Sequence, residues 1–408
     1  NILKKLRQHK KALSCYEKAI QISPDYANAH YNLGIILKEL GQSQKAIISY
    51  QKVIEIHSNH VDAHNNLGTI FQEMREHQKA KSCYTKAIQI NPNHAIAHNN
   101  LGILFQNMGE HQKARSCYEK AIKINPKTEN IHYNLGKTFE KTKEYQKAIS
   151  CYQKENLARS RVAVLECTYL SNGIVAYNKI LKQFIDEDPC NIGIAAFAVY
   201  VEKKEGIKNI YPFCKNPMDF VFIKNLKNEF TNSKEFSKNL LQILEKIEST
   251  WEPFGSNVKG GSRTLGLSFD KNDFEIVEFK KLIEKQIEIY RKKYKQKEDY
   301  FITKWPPNSS IIPWYNKLAK QGYLTPHIHP GGWLSGVFYL SVPKLLNKNE
   351  GSIKLSLFGS KYPDDKNLIH SPRDFDIILF PSSLYHQTIP FDSQDERHSI
   401  AFDVVKKI

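Results

Sequence analysis

The chain has 408 residues, 41% of them hydrophobic and 25% charged, enough apolar side chain for two or three packed domains and too much for wholesale disorder. Lys and Arg outnumber Asp and Glu by 59 to 42, a net charge of +17. Residues 1–155 hold 23 basic and 13 acidic residues and the remainder 36 and 29, so the basicity is spread and excludes a single polybasic block.

Such a surface suits an acidic protein segment, with nucleic acid as a less favoured partner. No apolar run approaches transmembrane length, and no membrane association is expected. The seven cysteines show no Cys-x-x-Cys pair and no disulfide-like spacing. That usage fits a reducing compartment, and a cytoplasmic location is expected.

Self-similarity dominates residues 1–155, and the chain opens part-way through a repeat. Arg7-Gln-His-Lys-Lys-Ala-Leu-Ser-Cys-Tyr16, Arg75-Glu-His-Gln-Lys-Ala-Lys-Ser-Cys-Tyr84 and Gly109-Glu-His-Gln-Lys-Ala-Arg-Ser-Cys-Tyr118 recur on a period of 34 residues. Each is followed by Lys-Ala-Ile and, after a turn, by His-x-Asn-Leu-Gly. Leu33-Gly34, Leu67-Gly68, Leu101-Gly102 and Leu135-Gly136 stand where one helix must admit its partner. Ala12, Ala46, Ala80, Ala114 and Ala148 do the same on the second helix, and the tyrosines at 16, 50, 84, 118 and 152 fill the space between. This period and pattern resemble the tetratricopeptide repeat. About four repeats and a final helix from Lys143 are predicted.

Asn32, Asn66, Asn100 and Asn134 each precede the Leu-Gly pair, so on a stacked solenoid they form a ladder down the inner surface. The ladder resembles that of the superhelix in O-linked N-acetylglucosamine transferase, which implies that it holds extended peptide backbones through side-chain amides. The alternative is that these amides satisfy groups between repeats. His30, His64, His98 and His132 recur equally well, one solenoid step apart, at a packing position.

From Glu155 to about Pro217 the period is lost, and Ile192–Tyr200 reads as part of a helical linker, residues 156–218. Helical patterns return at Ser233–Thr250 and Asp273–Lys295. After Tyr300 the texture changes to short β-branched and aromatic runs broken by Pro, Gly, Asn and Asp. The predicted strands are Ile311–Asn316, Tyr323–His327, Leu334–Ser341, Ser352–Leu357, Ile377–Phe380, His386–Pro390 and Ser399–Val404. The fold class expected is multidomain: an all-α solenoid followed by a helix-backed double-stranded β-helix, or jelly roll.

Strand alternation puts His327 and His329 on one side, both able to reach one metal. His386 comes from a strand expected to pack nearby, and imidazole suits iron, zinc, copper or nickel. Arg397 opens the next strand, with Ser399 facing the same way; a guanidinium fork and a hydroxyl make a receptor for the carboxylate of a short diacid.

Residues 219–408 resemble a 2-oxoglutarate- and Fe(II)-dependent oxygenase of the prolyl-hydroxylase-like branch. The resemblance implies that His327 is the first metal ligand and His386 the distal one, that Arg397 and Ser399 clamp the cosubstrate, and that Tyr315 also touches it. Asp374-Phe-Asp-Ile-Ile-Leu-Phe-Pro381 matches the strand and turn ahead of the distal histidine. The region is more closely similar to the 2-oxoglutarate oxygenases that microbes append to tetratricopeptide repeats, where Trp251-Glu-Pro and Gly260-Gly-Ser-Arg-Thr precede Pro-His-x-His-Pro.

His329 stands where the common triad has Asp. It is expected as the third ligand, giving a neutral three-histidine face; the alternative is an outer residue, with a carboxylate such as Asp364 or Asp365 recruited from a loop. The function expected is an Fe(II)- and 2-oxoglutarate-dependent dioxygenase that hydroxylates a protein or peptide recruited by the repeats. The competing readings are a cupin-type metal dioxygenase or isomerase, and a non-catalytic interaction scaffold.

Overall fold

The structure, a computed structural model, describes residues 2–155, 157–247, 249–253, 256–264, 267–269, 273–344, 347, 349–359 and 367–407. Asp364 and Asp365 lie outside the described residues. The chain divides into two compact units, Asn1–Asn178 and Lys179–Ile408, a division that falls inside the segment expected as a linker. No described helix is long and apolar enough to cross a membrane.

The first unit is built from α1 (Ile2–Ile22), α2 (Ala27–Glu39), α3 (Ser43–Ile56), α4 (Val61–Glu73), α5 (His77–Ile90), α6 (Ala95–Asn107), α7 (His111–Ile124), α8 (Ile131–Lys141) and α9 (Tyr145–Tyr152). Helices α2, α4, α6 and α8 each pack against the helix that follows. The close approach is made by glycine: a Cβ at Gly34, Gly68, Gly102 or Gly136 would stand 2.6–2.7 Å from the ring of Tyr50, Tyr84, Tyr118 or Tyr152. Those four rings are the largest buried side chains of the repeats. Helix α10 (Ala158–Glu187) carries non-helical dihedrals at Gly173 (φ 74°), a left-handed conformation that glycine adopts at no steric cost.

The second unit begins with the end of α10 and α11 (Ile192–Glu205). Its strands are β1 (Phe222–Asn225), β2 (Ser249–Trp251), β3 (Val258–Thr264), β4 (Ser309–Leu324), β5 (Leu334–Ser341), β6 (Ile353–Ser356), β7 (Asn367–His370), β8 (Asp376–Pro381), β9 (Tyr385–Thr388) and β10 (Arg397–Lys406). A seven-stranded antiparallel sheet runs β1-β8-β5-β10-β4-β3-β2, and a three-stranded sheet runs β7-β6-β9. Alternation along the large sheet divides its side chains between two faces. On one face Phe338 meets Phe279 of α12 (Phe274–Tyr294), ring centroids 5.0 Å apart. On the other, Tyr339, Ile378 and Phe380 share a core with Ile353 and Leu355 of the small sheet and Leu357 just beyond it. The all-α repeats and the helix-backed antiparallel region are therefore as expected.

The element boundaries differ in two informative places. The two strands predicted at Ile311–Asn316 and Tyr323–His327 are one long strand, β4, paired with β10 and β3. Lys317–Gly322 reads as a turn, but the strand passes through it with Gln321 at φ 62° and a register shift opposite Lys259 and Gly261, a bulge that bends without breaking the ladder. Strand β3 was not predicted, because Gly260-Gly261 reads as a breaker. Here a Cβ on Gly261 would stand 2.5 Å from the Lys317 carbonyl oxygen, so glycine is what lets β3 pair.

Candidate metal centre

His327, His329 and His386 come together, each offering one nitrogen, with those atoms all within 4.8 Å of one another. The ring centroids stand 4.1 Å (His327–His386), 4.8 Å (His329–His386) and 5.1 Å (His327–His329) apart. Main-chain geometry makes the meeting: His327 and His386 exchange N–H···O bonds of 3.1 and 3.0 Å as an isolated bridge, and the His329 N–H donates to the Ser382 carbonyl at 3.1 Å.

Each imidazole is held from its Nδ1 side. His327 Nδ1 faces the Thr325 carbonyl at 2.7 Å, His386 Nδ1 the Leu384 carbonyl at 3.3 Å, and His329 Nδ1 the Asp403 carboxylate at 2.6 Å. An acceptor at Nδ1 fixes the proton there and leaves the Nε2 lone pair for a metal. Burial, then the neighbouring imidazoles, drives His386 well below the usual histidine range and takes His327 down to about 3. Both rings are neutral at physiological pH. Asn257 Nδ2 also contacts His327 Nε2.

Asp403 was not among the residues read from the sequence. Its Oδ1 also accepts from Ser335 Oγ at 2.7 Å, and Ser335 Oγ lies 2.8 Å from Ser382 Oγ. The signal was its phase: Arg397, Ser399, Ala401 and Asp403 alternate onto one face of β10, and the first three line the pocket.

That pocket is narrow and is lined by the three histidines, Arg263, Trp314, Tyr339, Phe380, Arg397 and Ser399 among others. Arg397 is 2% exposed, its guanidinium 4.7 Å from the centre of the Tyr339 ring. Its Nε and Nη1 are buried without a hydrogen-bond partner. A buried cation with idle donors costs free energy that a bound anion restores. The structure thus brings His327, His329, His386, Arg397 and Ser399 to one cavity.

Tyr315 is placed elsewhere, and its expected contact with a cosubstrate is corrected. It stands opposite Ile400 on the face of β4 turned away from the pocket, its hydroxyl 2.6 Å from His398 Nδ1. A one-residue change of phase on a strand moves a side chain to the other face, and Trp314 and Asn316 take the pocket side.

The donor set fits a divalent metal of borderline softness: three imidazoles, each oriented by an outer acceptor. The unpaired Arg397 beside them fits a carboxylate.

Residues 313–403 match the family described as "Putative 2OG-Fe(II) oxygenase". Residues 1–41, 27–60, 60–127 and 93–155 match tetratricopeptide repeats. The chain joins tetratricopeptide repeats to a domain of this oxygenase family. No curated protein matches it. Among solved structures, "Functional Characterization of Pseudomonas Aeruginosa pilF" is 20% identical and covers 50% of this chain and 94% of its own, with a TM-score of 0.41. "Crystal structure of MamA" is 24% identical over 42% and 95%, TM-score 0.34. "Crystal structure of YrrB: a TPR protein with an unusual peptide-binding site" is 17% identical over 43% and 92%, TM-score 0.37.

In the repeats, three of the four asparagines reach the preceding repeat. Asn66 Nδ2 donates to Tyr31 Oη at 3.2 Å, Asn100 Nδ2 to Asn65 Oδ1 at 3.0 Å and Asn134 Nδ2 to Asn99 Oδ1 at 3.2 Å. Asn32, Asn66, Asn100 and Asn134 are all partly exposed. The repeating histidines hold loops: His30, His64 and His98 each bond through Nε2 to a carbonyl six residues earlier, at 2.8–3.0 Å.

Proposed function

We propose that this protein is an Fe(II)- and 2-oxoglutarate-dependent dioxygenase that hydroxylates a side chain of a protein or peptide recruited by its repeats. The observation that carries the reading is the buried Arg397 guanidinium, its Nε and Nη1 without a partner, in the cavity lined by the three histidines.

His327, His329 and His386 would hold iron(II) through Nε2, and Arg397 with Ser399 would take the far carboxylate of 2-oxoglutarate. With iron bound, the centre would couple conversion of 2-oxoglutarate and dioxygen to succinate and carbon dioxide with insertion of the second oxygen atom into a substrate C–H bond. The chain's own part is to orient. Asp403, Thr325 and Leu384 fix the imidazole rings, while Val337, Phe380 and Leu324 give the cavity apolar walls that exclude water. The partly exposed asparagine ladder supports peptide capture. Seven free thiols support a reducing, cytoplasmic setting.

Anaerobic addition of Fe(II) and 2-oxoglutarate should give the visible charge-transfer band of a chelated keto acid, and air should then bring metal-dependent consumption of 2-oxoglutarate. Absence of both signals would sink the reading. Metal binding indifferent to 2-oxoglutarate would favour a cupin-type activity, and no metal binding at all would leave a scaffold.

A further inference from the structure

A second guanidinium faces the three-histidine cavity, and the cosubstrate reading has no use for it. Arg263 lies on β3 opposite Asn316 of β4. Its Nε donates to Asn316 Oδ1 at 2.8 Å, and its guanidinium carbon stands 5.6 Å from the centre of the Trp314 ring. Trp314 in turn lies 5.3 Å from the His329 ring, so Arg263, Trp314 and His329 form a continuous wall. The Nη1 and Nη2 atoms of Arg263 find no acceptor among the described residues. The Trp314 indole N–H is likewise buried without one.

Arg263 and Arg397 serve different places. Arg397 leans over Tyr339 of β5, whereas Arg263 leans over Trp314 on the far side of β4. In the sheet order β5-β10-β4-β3, the rings they lean over are carried by strands two spacings apart, roughly 10 Å. One carboxylate does not engage both. Burial lowers Arg263 to about 10, so it remains a cation at neutral pH, and its field is among the lesser causes that depress His327 and His386.

Charge balance points the same way. Imidazoles that ligate a metal contribute no charge, and the Asp403 carboxylate offsets only one of the two guanidinium charges. A divalent metal raises the excess to three, and a dicarboxylate cosubstrate removes two. One positive charge is left, and the Asp403 carboxylate that acts on Arg263 is shared with His329.

We infer that Arg263 anchors a carboxylate of the substrate itself, so that the side chain presented to the three-histidine centre is acidic, an aspartate or glutamate of the captured polypeptide. This rests on the oxygenase reading for the identity of the centre. Asn257, which precedes β3, adds a side-chain amide beside the centre. The Thr325 N–H donates to its carbonyl at 2.9 Å, and its side-chain amide sits against His327.

The test uses the full chain loaded with Zn(II), a diamagnetic and redox-inert stand-in, and N-oxalylglycine, a non-reacting analogue of 2-oxoglutarate. Ligand-observed NMR then measures binding of N-acetyl-aspartate methylamide and of its asparagine counterpart. The aspartate probe should bind at least about tenfold more tightly, as a charge-assisted pair requires. Arg263→Gln should abolish that preference and leave N-oxalylglycine affinity within about twofold, while Arg263→Lys retains part of the preference. Arg397→Gln should do the reverse, losing N-oxalylglycine first.

Equal binding of acid and amide overturns the inference, as does failure of both probes to bind. A loss of N-oxalylglycine in Arg263→Gln as large as in Arg397→Gln also overturns it, since Arg263 would then belong to the cosubstrate. If wild type ignores N-oxalylglycine but holds the aspartate probe through Arg263, the oxygenase reading fails and the acidic subsite stands. Thermal melts of each variant separate these outcomes from misfolding.

Discussion

The Nδ1 of His329 lies 2.6 Å from Oδ1 of Asp403. This carboxylate–imidazole pair couples β10 to the loop before β5, and it gives the unusual histidine of the triad an orientation that strand alternation alone does not supply. A carboxylate at Nδ1 fixes the tautomer, raises the basicity of Nε2 and holds the ring in place. The negative charge that the common triad carries on a ligand is here one residue further out.

Removing that charge should therefore weaken the metal without removing a ligand. Asp403→Asn should lower Fe(II) or Co(II) affinity about 10–100-fold, the usual cost of losing such an outer partner. Ser335 still has Ser382 to bond, so the fold should persist. Competition against a chelating dye measures the affinity, and an unchanged value would show that Asp403 plays no part at the centre.

Arg397→Gln should separate the two halves of the pocket. Charge-assisted hydrogen bonds contribute about 1.5–3 kcal/mol, so the dissociation constant for 2-oxoglutarate should rise about 10–100-fold while Fe(II) titrates as in wild type. Parallel loss of iron would mean that the residue supports the metal end instead.

The metal-free protein should lose stability as pH falls. His327 and His386 have folded values depressed below the ordinary 6.5, His327 to about 3. Above pH 6.5 neither state binds a proton and the groups have no effect. Below it the unfolded chain takes up protons that the folded chain refuses, so stability declines continuously toward pH 3. The slope is at most about 1.4 kcal/mol per pH unit for each group. Urea midpoints of apo wild type and His386→Gln between pH 8 and 5 test the sign, the variant showing the shallower dependence.

Gly102→Ala should destabilise the repeats and leave the metal centre alone. The new methyl would stand 2.6 Å from the Tyr118 ring, and overpacking of this kind costs about 1–3 kcal/mol. The expected readout is a lower melting transition for the repeat unit, with Fe(II) affinity unchanged.

The repeats were legible because their information is local. A period of 34 residues fixes which side chains meet, and Gly34 with Tyr50 or Gly102 with Tyr118 meet as the pattern says. The same register placed the asparagine ladder, though their bonds to Tyr31, Asn65 and Asn99 of the preceding repeat appear only once the helices stack.

In the second unit the sequence by itself determined the chemistry that lies along single strands and their ends: His327 with His329, His386, and Arg397 with Ser399. The tertiary structure decided everything that depends on strands distant in sequence becoming neighbours. Asp403 reaches His329 because β10 lies beside β5, and Arg263 reaches the pocket because Gly261 lets β3 lie close against β4. Tyr315 was misplaced because its phase is set by the pairing of β4 with β10, where one residue is the difference between lining a cavity and leaving it. Spacing along a chain specifies which groups share a face; which faces meet is settled only by long-range pairing and the burial it permits.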